Sequence, residues 1–328
     1  MQKVRIAAAA TLACIGSAAA QTPSTGGAQT YPAKALRLIV PFPPGGGTDF
    51  VARTIQPRFA EALGQQIIID NRAGATGIVG TELGSKAPPD GYTLTMATGA
   101  TISANMALFP KLPYDPPKDF VPVTLVASQP NLLAVHPSVP AKTVRDLIAL
   151  AKARPGQLSY ASSGSGSSHH LSAELLKVMS GINIVHVPYK GTGPAIIDAV
   201  GGHVEVIFSG IAAIMPQVKS GKLRALGVTK AQRSAILPEV PTIAEAGLPG
   251  YEITSWHGVL APTGTPQPVV VRVRDGVVKA LESADVRERF ASQGAEPVGL
   301  TPEAFAKFLK ADIAKIGKLI RGAGIKAD

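Results

Sequence analysis

The stretch LRLIVPFPPGGGTDF, residues 36–50, joins a strand signal, a glycine loop and the start of a helix. Residues 36–42 form a mostly apolar run of strand length. Gly45–Gly47 follow, and from Phe50 the apolar spacing is helical until Gly64. Three glycines let backbone N–H groups turn toward one point, and a helix N-terminus adds positive potential there. The stretch therefore predicts an anion site at the carboxyl end of a first strand.

The glycine loop does not match either of two common nucleotide-binding motifs. It is not a Walker phosphate loop, because no Gly-Lys-Ser/Thr follows, and it is not a dinucleotide fingerprint, because Phe50 stands where the third glycine would be. A tight strand-to-helix turn with Thr48 or Asp49 as the N-cap explains the loop equally well. The loop alone does not distinguish a simple turn from an anion site, so the other segments of the chain are needed as evidence.

Strand and helix signals alternate beyond this loop. A second strand is predicted at Ile67–Asp70, a second helix at Gly77–Ala87 and a third strand at Tyr92–Ala97, after the turn at 88–91. This alternation predicts a parallel sheet with right-handed crossovers and helices on both faces.

The alternation resumes after Val121–Val135, an extended stretch interrupted by Pro130. The predicted helices and strands of this second unit are Val144–Ala153, Leu158–Ala161, Ser168–Met179, Asn183–Val187, Ala195–Val200, Val204–Phe208 and Leu223–Val228. Ile253–Ala261 is extended again, and the remaining segments are helical: Pro268–Leu281, Ala284–Gln293 and Pro302–Ile320.

These C-terminal helices have no sheet of their own, so they must cover another one. We therefore expect the chain to return after Trp256 to a discontinuous first lobe, residues 31–127 and 257–328, with residues 128–256 as the second lobe. The two extended crossings form a hinge, and a hinge between two sheets makes a cleft. A length of 328 residues also fits two domains.

Ligands of open α/β sheets bind at the carboxyl ends of strands, so the loops that follow each strand are the candidate site. Ser162–Ser168 is dense in hydroxyl donors and offers the anion chemistry of the first loop from the second lobe. Trp256 is a core or hinge residue by default, with ligand stacking as the alternative. The candidate ligand-binding residues are Phe42, Gly45, Gly46, Gly47, Thr48, Asp49, Thr98, Thr101, Ser163, Gly164, Ser165, Gly166, Ser168, His170, Tyr189, Gly191, Ser209 and Trp256.

The serine loop also contains the residue types of a hydrolase. Ser165 or Ser167 stands beside His169 or His170, with Asp198 downstream, which are the components of a Ser-His-Asp triad. However, the last glycine of a Gly-x-Ser-x-Gly elbow is missing. Hydrolysis is therefore the minor alternative, and we predict no catalytic residue.

The helix that follows this loop carries two residue types that bind metals. His170 and Glu174 lie four residues apart and could share a metal, but no other histidine has a spacing that supplies a third ligand. Histidine as a helix cap or packing residue is favoured. We predict neither a metal nor another cofactor.

Residues 1–20 have the pattern of an export signal: two basic residues, an apolar run and three final alanines. We predict cleavage after Ala20, a linker at residues 21–30 and a periplasmic location. The apolar run is shorter than a membrane span requires. Lipidation at Cys14, the only cysteine, is an alternative, but no leucine stands three places before it.

The charge balance is basic, at +10 from 32 Lys and Arg against 22 Asp and Glu. The basic residues are scattered singly, and aromatic residues make up only 5%, which argues against nucleic acid as a partner. A basic protein that binds a small anion as a monomer fits better.

Short motifs occur in order along the chain: YP at 31–32, VPFPPGGGTD at 40–49, NRAGATG at 71–77, PDGYTL at 89–94, GSG at 164–166 with HL at 170–171, VPYKG at 187–191 and APTGTP at 261–266. Together they resemble the Bug family, the periplasmic solute receptors of tripartite tricarboxylate transporters. Each motif alone is weak, and their combination and order are specific.

The resemblance implies a two-lobed type II periplasmic-binding-protein fold with two mainly parallel sheets. It also implies a carboxylated ligand held by Gly45–Thr48 and Ser163–Ser168, partly through backbone amides, and membrane components of a tripartite transporter as partners. Three hypotheses follow from the sequence: a solute receptor, a serine hydrolase at Ser165 and His169, and an anion-responsive receptor for a signalling partner.

Overall fold

The first strands of the chain form a parallel set. The computed structural model describes residues 31–326, and in it β1 (Leu36–Val40) lies between β2 (Ile67–Asn71) and β3 (Thr93–Thr98). Both pairings are parallel, so the carboxyl ends of the three strands share one edge. This first parallel set confirms the arrangement that the alternating signals predicted.

A second parallel set has the same construction. β5 (Ser159–Ser162) lies between β6 (Val185–Pro188) and β7 (Val206–Gly210), again with parallel pairing. The loops that follow these strands therefore also share one edge.

Two antiparallel strands join the parallel sets into one sheet. β9 (Thr254–Pro262) pairs with β3 and with the first part of β4 (Phe120–Val135). The last part of β4 pairs with β7 and with β8 (Arg224–Val228), and β10 (Glu296–Pro297) adds a short pairing to β4. The two predicted crossings are these two strands, β4 and β9.

β4 changes partner at Pro130. Pro130 is aligned with Thr254 of β9, whereas Asn131 is aligned with Gly210 of β7. The sequence predicted an interruption here, but the strand continues through the proline. Proline lacks an N–H group, so its position at the change of partner costs little ladder hydrogen bonding.

The helices connect the strands and close the fold. They are α1 (Gly47–Leu63), α2 (Ile78–Ser85), α3 (Asn105–Leu108), α4 (Pro116–Asp119), α5 (Val144–Ala153), α6 (Ser168–Ser180), α7 (Thr192–Val200), α8 (Ile211–Lys219), α9 (Gln267–Glu282), α10 (Ala284–Ser292) and α11 (Pro302–Ala323). A π-helical turn, 100–104, leads into α3. α3, α4 and α8 were not predicted.

The return of the chain brings α9 onto α1, as expected. The two helices approach closely at Gly276, where a Cβ atom would lie 2.8 Å from Cδ2 of Leu63. The first parallel set is thus covered by a helix from the far end of the sequence.

α11 departs from the expectation, because it packs on both parts of the fold. Phe305 and Leu309 are buried in a cluster with Trp256. Two turns later, Ile316 and Ile320 are buried in the cluster that contains the side chains of α6. One helix therefore contributes to the cores on both sides of the antiparallel strands.

The described residues from Pro32 onward belong to one compact unit. The lobe boundaries at 127/128 and 256/257 stay a prediction. The predicted signal, the linker and Cys14 lie outside the described residues. Across residues 31–326, none of the helices is long and apolar enough to cross a membrane.

Candidate ligand-binding site

A cavity of about 760 Å³ is lined by the loops that follow β1, β3 and β5. This volume is within the range of small-molecule sites. The predicted site residues that line it are Phe42, Gly45, Gly46, Gly47, Thr48, Thr98, Ser163, Gly164, Ser165, Gly166, Ser168, Gly191 and Trp256. The carboxyl edges of both parallel sets thus contribute to one wall, as the sequence predicted.

The loop after β1 presents the N-terminus of α1 to the cavity. The N-cap of α1 is Gly46, with φ −80° and ψ 171° and no side-chain hydrogen bond. The proposed cap at Thr48 or Asp49 was wrong, because both residues already lie inside the helix. The first helical bond runs from Phe50 N–H to the Gly46 carbonyl. The amides of the first turn have no acceptor within the helix and remain available to a ligand.

Asp49 holds this loop from behind. Its carboxylate accepts hydrogen bonds from Gly45 N at 2.9 Å, from Arg53 Nε at 2.9 Å and from Asn71 Nδ2 at 2.9 Å. Asn71 Nδ2 also donates to the carbonyl of Phe42 at 3.0 Å. Asp49 is 3% exposed and does not line the cavity. Its charge is committed to the loop and not to a ligand.

The ionisation of Asp49 reflects these contacts. Burial alone pushes the pKa of its carboxyl upward, but hydrogen bonds from Gly45, Arg53 and Asn71, together with the charge of Arg53, outweigh it. The pKa therefore lies below its usual value, and the carboxylate is ionised at neutral pH.

The loop after β5 reaches the cavity through left-handed glycines. Gly164 has φ +125° and Gly166 has φ +74°. A Cβ at Gly164 would lie 3.3 Å from the Tyr189 carbonyl oxygen, and one at Gly166 would lie 3.1 Å from Cδ1 of Leu108. Ser167 caps α6, accepting a hydrogen bond from the amide of His170 at 3.2 Å. Both glycines are needed for this backbone path.

Histidines hold the second loop from behind. Gly166 N donates to Nδ1 of His170 at 3.0 Å. Nδ1 of His169 lies 2.8 Å from Ser163 Oγ. His170 is buried and does not line the cavity. His170 therefore supports the loop from behind and does not line the cavity, where the sequence had predicted it.

A stack of rings anchors His170. The rings of His170 and His186 are stacked and nearly parallel, with an interplanar angle of 7° and ring centroids 4.0 Å apart. Tyr160 stacks on His186 at 4.8 Å, and Tyr160 Oη donates to Glu174 at 2.6 Å. The His170 ring is thereby fixed with its acceptor nitrogen toward the loop.

The proposed catalytic triad does not assemble. The serine paired with His169 is Ser163 and not Ser165, and Asp198 accepts a hydrogen bond from Tyr189 at 2.7 Å. Removal from bulk water lowers the pKa of His169 to about 4, so its imidazole is a poor base near neutral pH.

The proposed metal pair is engaged elsewhere. Glu174 accepts from Tyr160 and from Lys177, the latter at 2.7 Å, while Nε2 of His170 lies 3.9 Å away. Within residues 31–326, no group of three or more His, Cys, Asp or Glu could hold a metal ion.

Three further predicted residues lie behind the wall. Thr101 is fully buried, and it exchanges hydrogen bonds with Thr98: Thr98 N donates to Thr101 Oγ1 at 3.1 Å, and Thr101 N donates to Thr98 Oγ1 at 3.3 Å. Tyr189 is held by Asp198, and burial together with that carboxylate raises its pKa to about 12. Ser209 is fully buried, and its hydroxyl has no partner among the described residues.

The structure adds cavity residues that the sequence reasoning missed. Thr76, with φ +53°, follows β2, so the rule applied to the other strands could have found it. Asn105 on α3 donates to the Thr76 carbonyl at 3.2 Å. Leu108 and Ile316 provide apolar surface. No sequence signal marks the residues of α3 and α11.

His257 on β9 also lines the cavity. It is 4% exposed, and burial lowers its pKa to about 4, so it is neutral near pH 7. Its Nδ1 atom has no hydrogen-bond partner among the described residues. An unpaired polar atom in such a place is suited to a bound water or ligand.

The electrostatics of the cavity come from the backbone and from hydroxyl groups. Among the described residues that line it, none is a lysine or an arginine. Positive potential is instead supplied by the N-termini of α1 and α6. Ser165 and Ser168 line the cavity, and their hydroxyls make no hydrogen bond to another described side chain or backbone atom. This arrangement suits an anion that accepts several neutral hydrogen bonds.

The fold and the site define a solute-binding protein of the periplasmic-binding-protein class. The chain belongs to the tripartite tricarboxylate transporter receptor family: residues 51–325 match TctC, described as "Tripartite tricarboxylate transporter family receptor". This membership confirms the family and fold that the sequence motifs predicted.

Individual relatives agree with that assignment. BugT of Bordetella pertussis is 39% identical over 300 residues, 91% of this chain and 92% of BugT. A solved R. palustris protein with adipate is 41% identical, with a TM-score of 0.79, over 90% of this chain and 99% of that one. MatC from Rhodopseudomonas palustris with bound malate is 36% identical, with a TM-score of 0.75, over 88% and 100%.

Proposed function

We propose that this protein is an extracytoplasmic receptor that captures a small carboxylate and delivers it to a tripartite tricarboxylate-type transporter. The observation that carries the proposal is the cavity wall, where the N-termini of α1 and α6 open beside free hydroxyls and none of the described lining residues is a lysine or an arginine. A carboxylate accepts several hydrogen bonds and is favoured by helix N-termini. The adipate and malate in the two solved relatives support this ligand class.

The cavity residues divide into two groups under this proposal. The amides of Gly46, Gly47 and Thr48 and the hydroxyls of Ser165 and Ser168 contact the carboxylate. Two residues behind the wall hold the loops that carry these donors: Asp49 accepts a hydrogen bond from Gly45 N, and His170 accepts one from Gly166 N. Donors that are held before the ligand arrives lose little entropy on binding.

The proposal includes no catalysis. Binding by neutral donors and helix ends stabilises an anion without activating a nucleophile. Ser163, which contacts His169, has a partner whose lowered pKa of about 4 makes it a weak base. A receptor that binds its ligand and releases it unchanged needs no activated nucleophile. We propose that it does so as a monomer.

We propose that the protein is exported, because a receptor that captures solutes outside the cytoplasm must cross the membrane. The signal pattern of residues 1–20 supports cleavage after Ala20 and a periplasmic location. Intact-mass measurement of the secreted protein tests this. A retained Met1, or a lipid on Cys14, would contradict it.

The binding proposal is tested by Gly46→Asp with Gly46→Ala as its matched control. Gly46 has φ −80°, and a Cβ there would lie 3.7 Å from its nearest neighbour, the Pro43 carbonyl oxygen, so a side chain fits. Only the aspartate adds a negative charge beside the helix N-terminus. A carboxylate at a hundredfold excess over Kd should stabilise wild type by about 2.7 kcal/mol.

A thermal-shift screen of carboxylates should therefore give a hit with wild type and Gly46→Ala, and none with Gly46→Asp. Circular dichroism verifies that all three proteins are folded. If the hit binds equally well as its methyl ester, or if Gly46→Asp binds it as wild type does, the proposal fails.

A further inference from the structure

Asp312 of α11 is the only Asp, Glu, Lys or Arg among the described residues that line the cavity. A carboxylate is an unexpected wall residue in a site for anions, because like charges close together repel. Asp312 lies on α11, whereas the two helix N-termini at the cavity belong to α1 and α6. The cavity therefore combines helix N-termini, which favour an anion, with a carboxylate, which repels one.

One oxygen of Asp312 is committed to the protein. Oδ2 accepts hydrogen bonds from Ser103 Oγ at 2.5 Å and from Trp256 Nε1 at 3.1 Å. The indole of Trp256 is itself fixed by edge-on contacts with Phe305 and Phe308, with centroids 5.9 Å and 5.6 Å away. The orientation of the carboxyl group is thus set by buried partners.

The other oxygen has no such partner. Oδ1 of Asp312 accepts no hydrogen bond from any residue in the described part of the chain, and Asp312 forms no ion pair there. The nearby Lys315 instead donates to the carbonyl of Glu252. Carboxylate oxygens at a partly buried site normally have donors, so Oδ1 is an acceptor that a ligand could satisfy.

The energetics point the same way. Burial raises the pKa of the Asp312 carboxyl above its usual value, against the lowering effect of the hydrogen bonds from Ser103 and Trp256 and of the charge of Lys315. The protein's own groups therefore do not fully compensate the charged form of Asp312. A donor on the ligand would offset this cost.

We propose that Asp312 selects ligands that carry a hydrogen-bond donor, a protonated amine or a hydroxyl, in addition to the carboxylate held by the two loops. This inference rests on the proposed function, because it assumes that the loops hold the carboxylate. It sets the chain apart from a receptor for plain dicarboxylates, since a second carboxylate beside Oδ1 would be repelled.

The test is a ligand series that shares one skeleton and differs at one end: pentanoate, 5-aminopentanoate, 5-hydroxypentanoate and glutarate, with the three-, four- and six-carbon homologues. Isothermal titration calorimetry at pH 7.5 gives Kd for each. In wild type, at the chain length that fits best, the amino or the hydroxy acid should bind about tenfold more tightly than the unsubstituted acid. The diacid should bind more weakly than that ligand.

Asp312→Asn should reverse the order. The asparagine oxygen can keep the hydrogen bonds from Ser103 and Trp256, so its amide group takes the place of Oδ1 and becomes a donor. The variant should lose the preference for the amino or hydroxy acid and gain affinity for the diacid. Glu303→Gln, the same charge change at an exposed position of α11, should leave the wild-type order unchanged.

The outcomes separate the two proposals. If unsubstituted acids or diacids bind wild type and the amino and hydroxy acids bind no better, the inference about Asp312 is overturned and the carboxylate receptor stands. A folded Asp312→Asn protein that keeps the wild-type order also overturns it. If no acid of any chain length binds, the proposed function fails first. Should Asp312→Asn not fold, the wild-type ranking alone decides.

Discussion

The loops after β1 and β5 present helix N-termini to the same cavity, but they are held by different chemistry. Behind the first, an ionised carboxylate, Asp49, gathers donors from the backbone and from Arg53. Behind the second, neutral imidazoles do this work: His170 accepts from Gly166, and His169 contacts Ser163. The two loops have similar sequence signals, glycines and hydroxyls between a strand and a helix. The contacts that support them differ, so we expect different responses to substitution and to pH.

The largest difference should come from Asp49→Asn. An amide has one acceptor oxygen, and its NH₂ group would face donors that now point at a carboxylate. We expect a loss of about 2 kcal/mol in unfolding free energy and weaker ligand binding, measured by urea unfolding and calorimetry.

Asp70→Asn is the matched control for this change. Asp70 on β2 also pairs with arginines, Arg37 and Arg72, but its side chain is 19% exposed and it supports no cavity loop. The Asp70→Asn substitution should lower the unfolding free energy by less than about 1 kcal/mol and leave ligand affinity unchanged. Equal effects of the two substitutions on affinity would contradict the role given to Asp49.

A smaller effect is expected for Gly166→Ala. The left-handed φ of +74° and the close Leu108 side chain should together cost about 1–2 kcal/mol. In the first loop, Gly46→Ala should change stability by no more than about 0.5 kcal/mol, because Gly46 has an ordinary φ and room for a Cβ. Thermal unfolding of both variants measures the difference. Similar costs would show that the two loops use glycine for the same reason.

The last prediction concerns pH, whose effect accumulates over the acid range. A histidine in an unfolded chain protonates near pH 6.5, whereas the pKa of His169 in the folded protein is about 4. Between these values the unfolded state binds more protons, so stability should fall as the pH is lowered from 6.5 to 4, by at most about 1 kcal/mol per pH unit. The pKa of Asp49 lies below its usual value, so protonation of this carboxylate contributes less than that of an ordinary aspartate over this window.

His169→Gln isolates the histidine contribution. His257 acts in the same direction as His169, and Asp312, with its raised pKa, acts in the opposite one, so the informative quantity is wild type minus variant. The melting temperature of wild type should fall more steeply than that of the variant below pH 6.5, and the two should run parallel above pH 7. Parallel curves throughout would refute a role for His169 in acid sensitivity.

The sequence predicted an element well wherever the local signal was complete. α5 has the predicted bounds because Thr143 and Asp146 form a capping box directly before an apolar periodicity. α1 begins earlier than predicted, because Gly46 caps it without a side chain and the first apolar residue, Phe50, comes a turn later. α8 was missed, since it starts directly after the strand residue Gly210 and contains Pro216.

The residues of the site were also predictable only where a local sequence signal marks them. Loops at strand ends could be predicted, since parallel pairing brings them to one edge whatever the details of packing. Asp312 and Asn105 could not, because their approach to the cavity depends on where α11 and α3 cross the sheet. Nor could the sequence show that Asp49 points away from the cavity, since the residues directly before it do face the cavity.

The position of α11 has a kinetic consequence. Phe305 completes the cluster around Trp256, while Ile316 and Ile320 complete the cluster around α6, so both cores remain open until this last helix docks. The contacts it makes join residues far apart in sequence, and closing such long loops is slow. During synthesis neither core can be finished before residues 302–323 have emerged. We therefore expect a nascent chain with this construction to stay loosely folded for longer than one whose parts fold in order, which would suit the export proposed above.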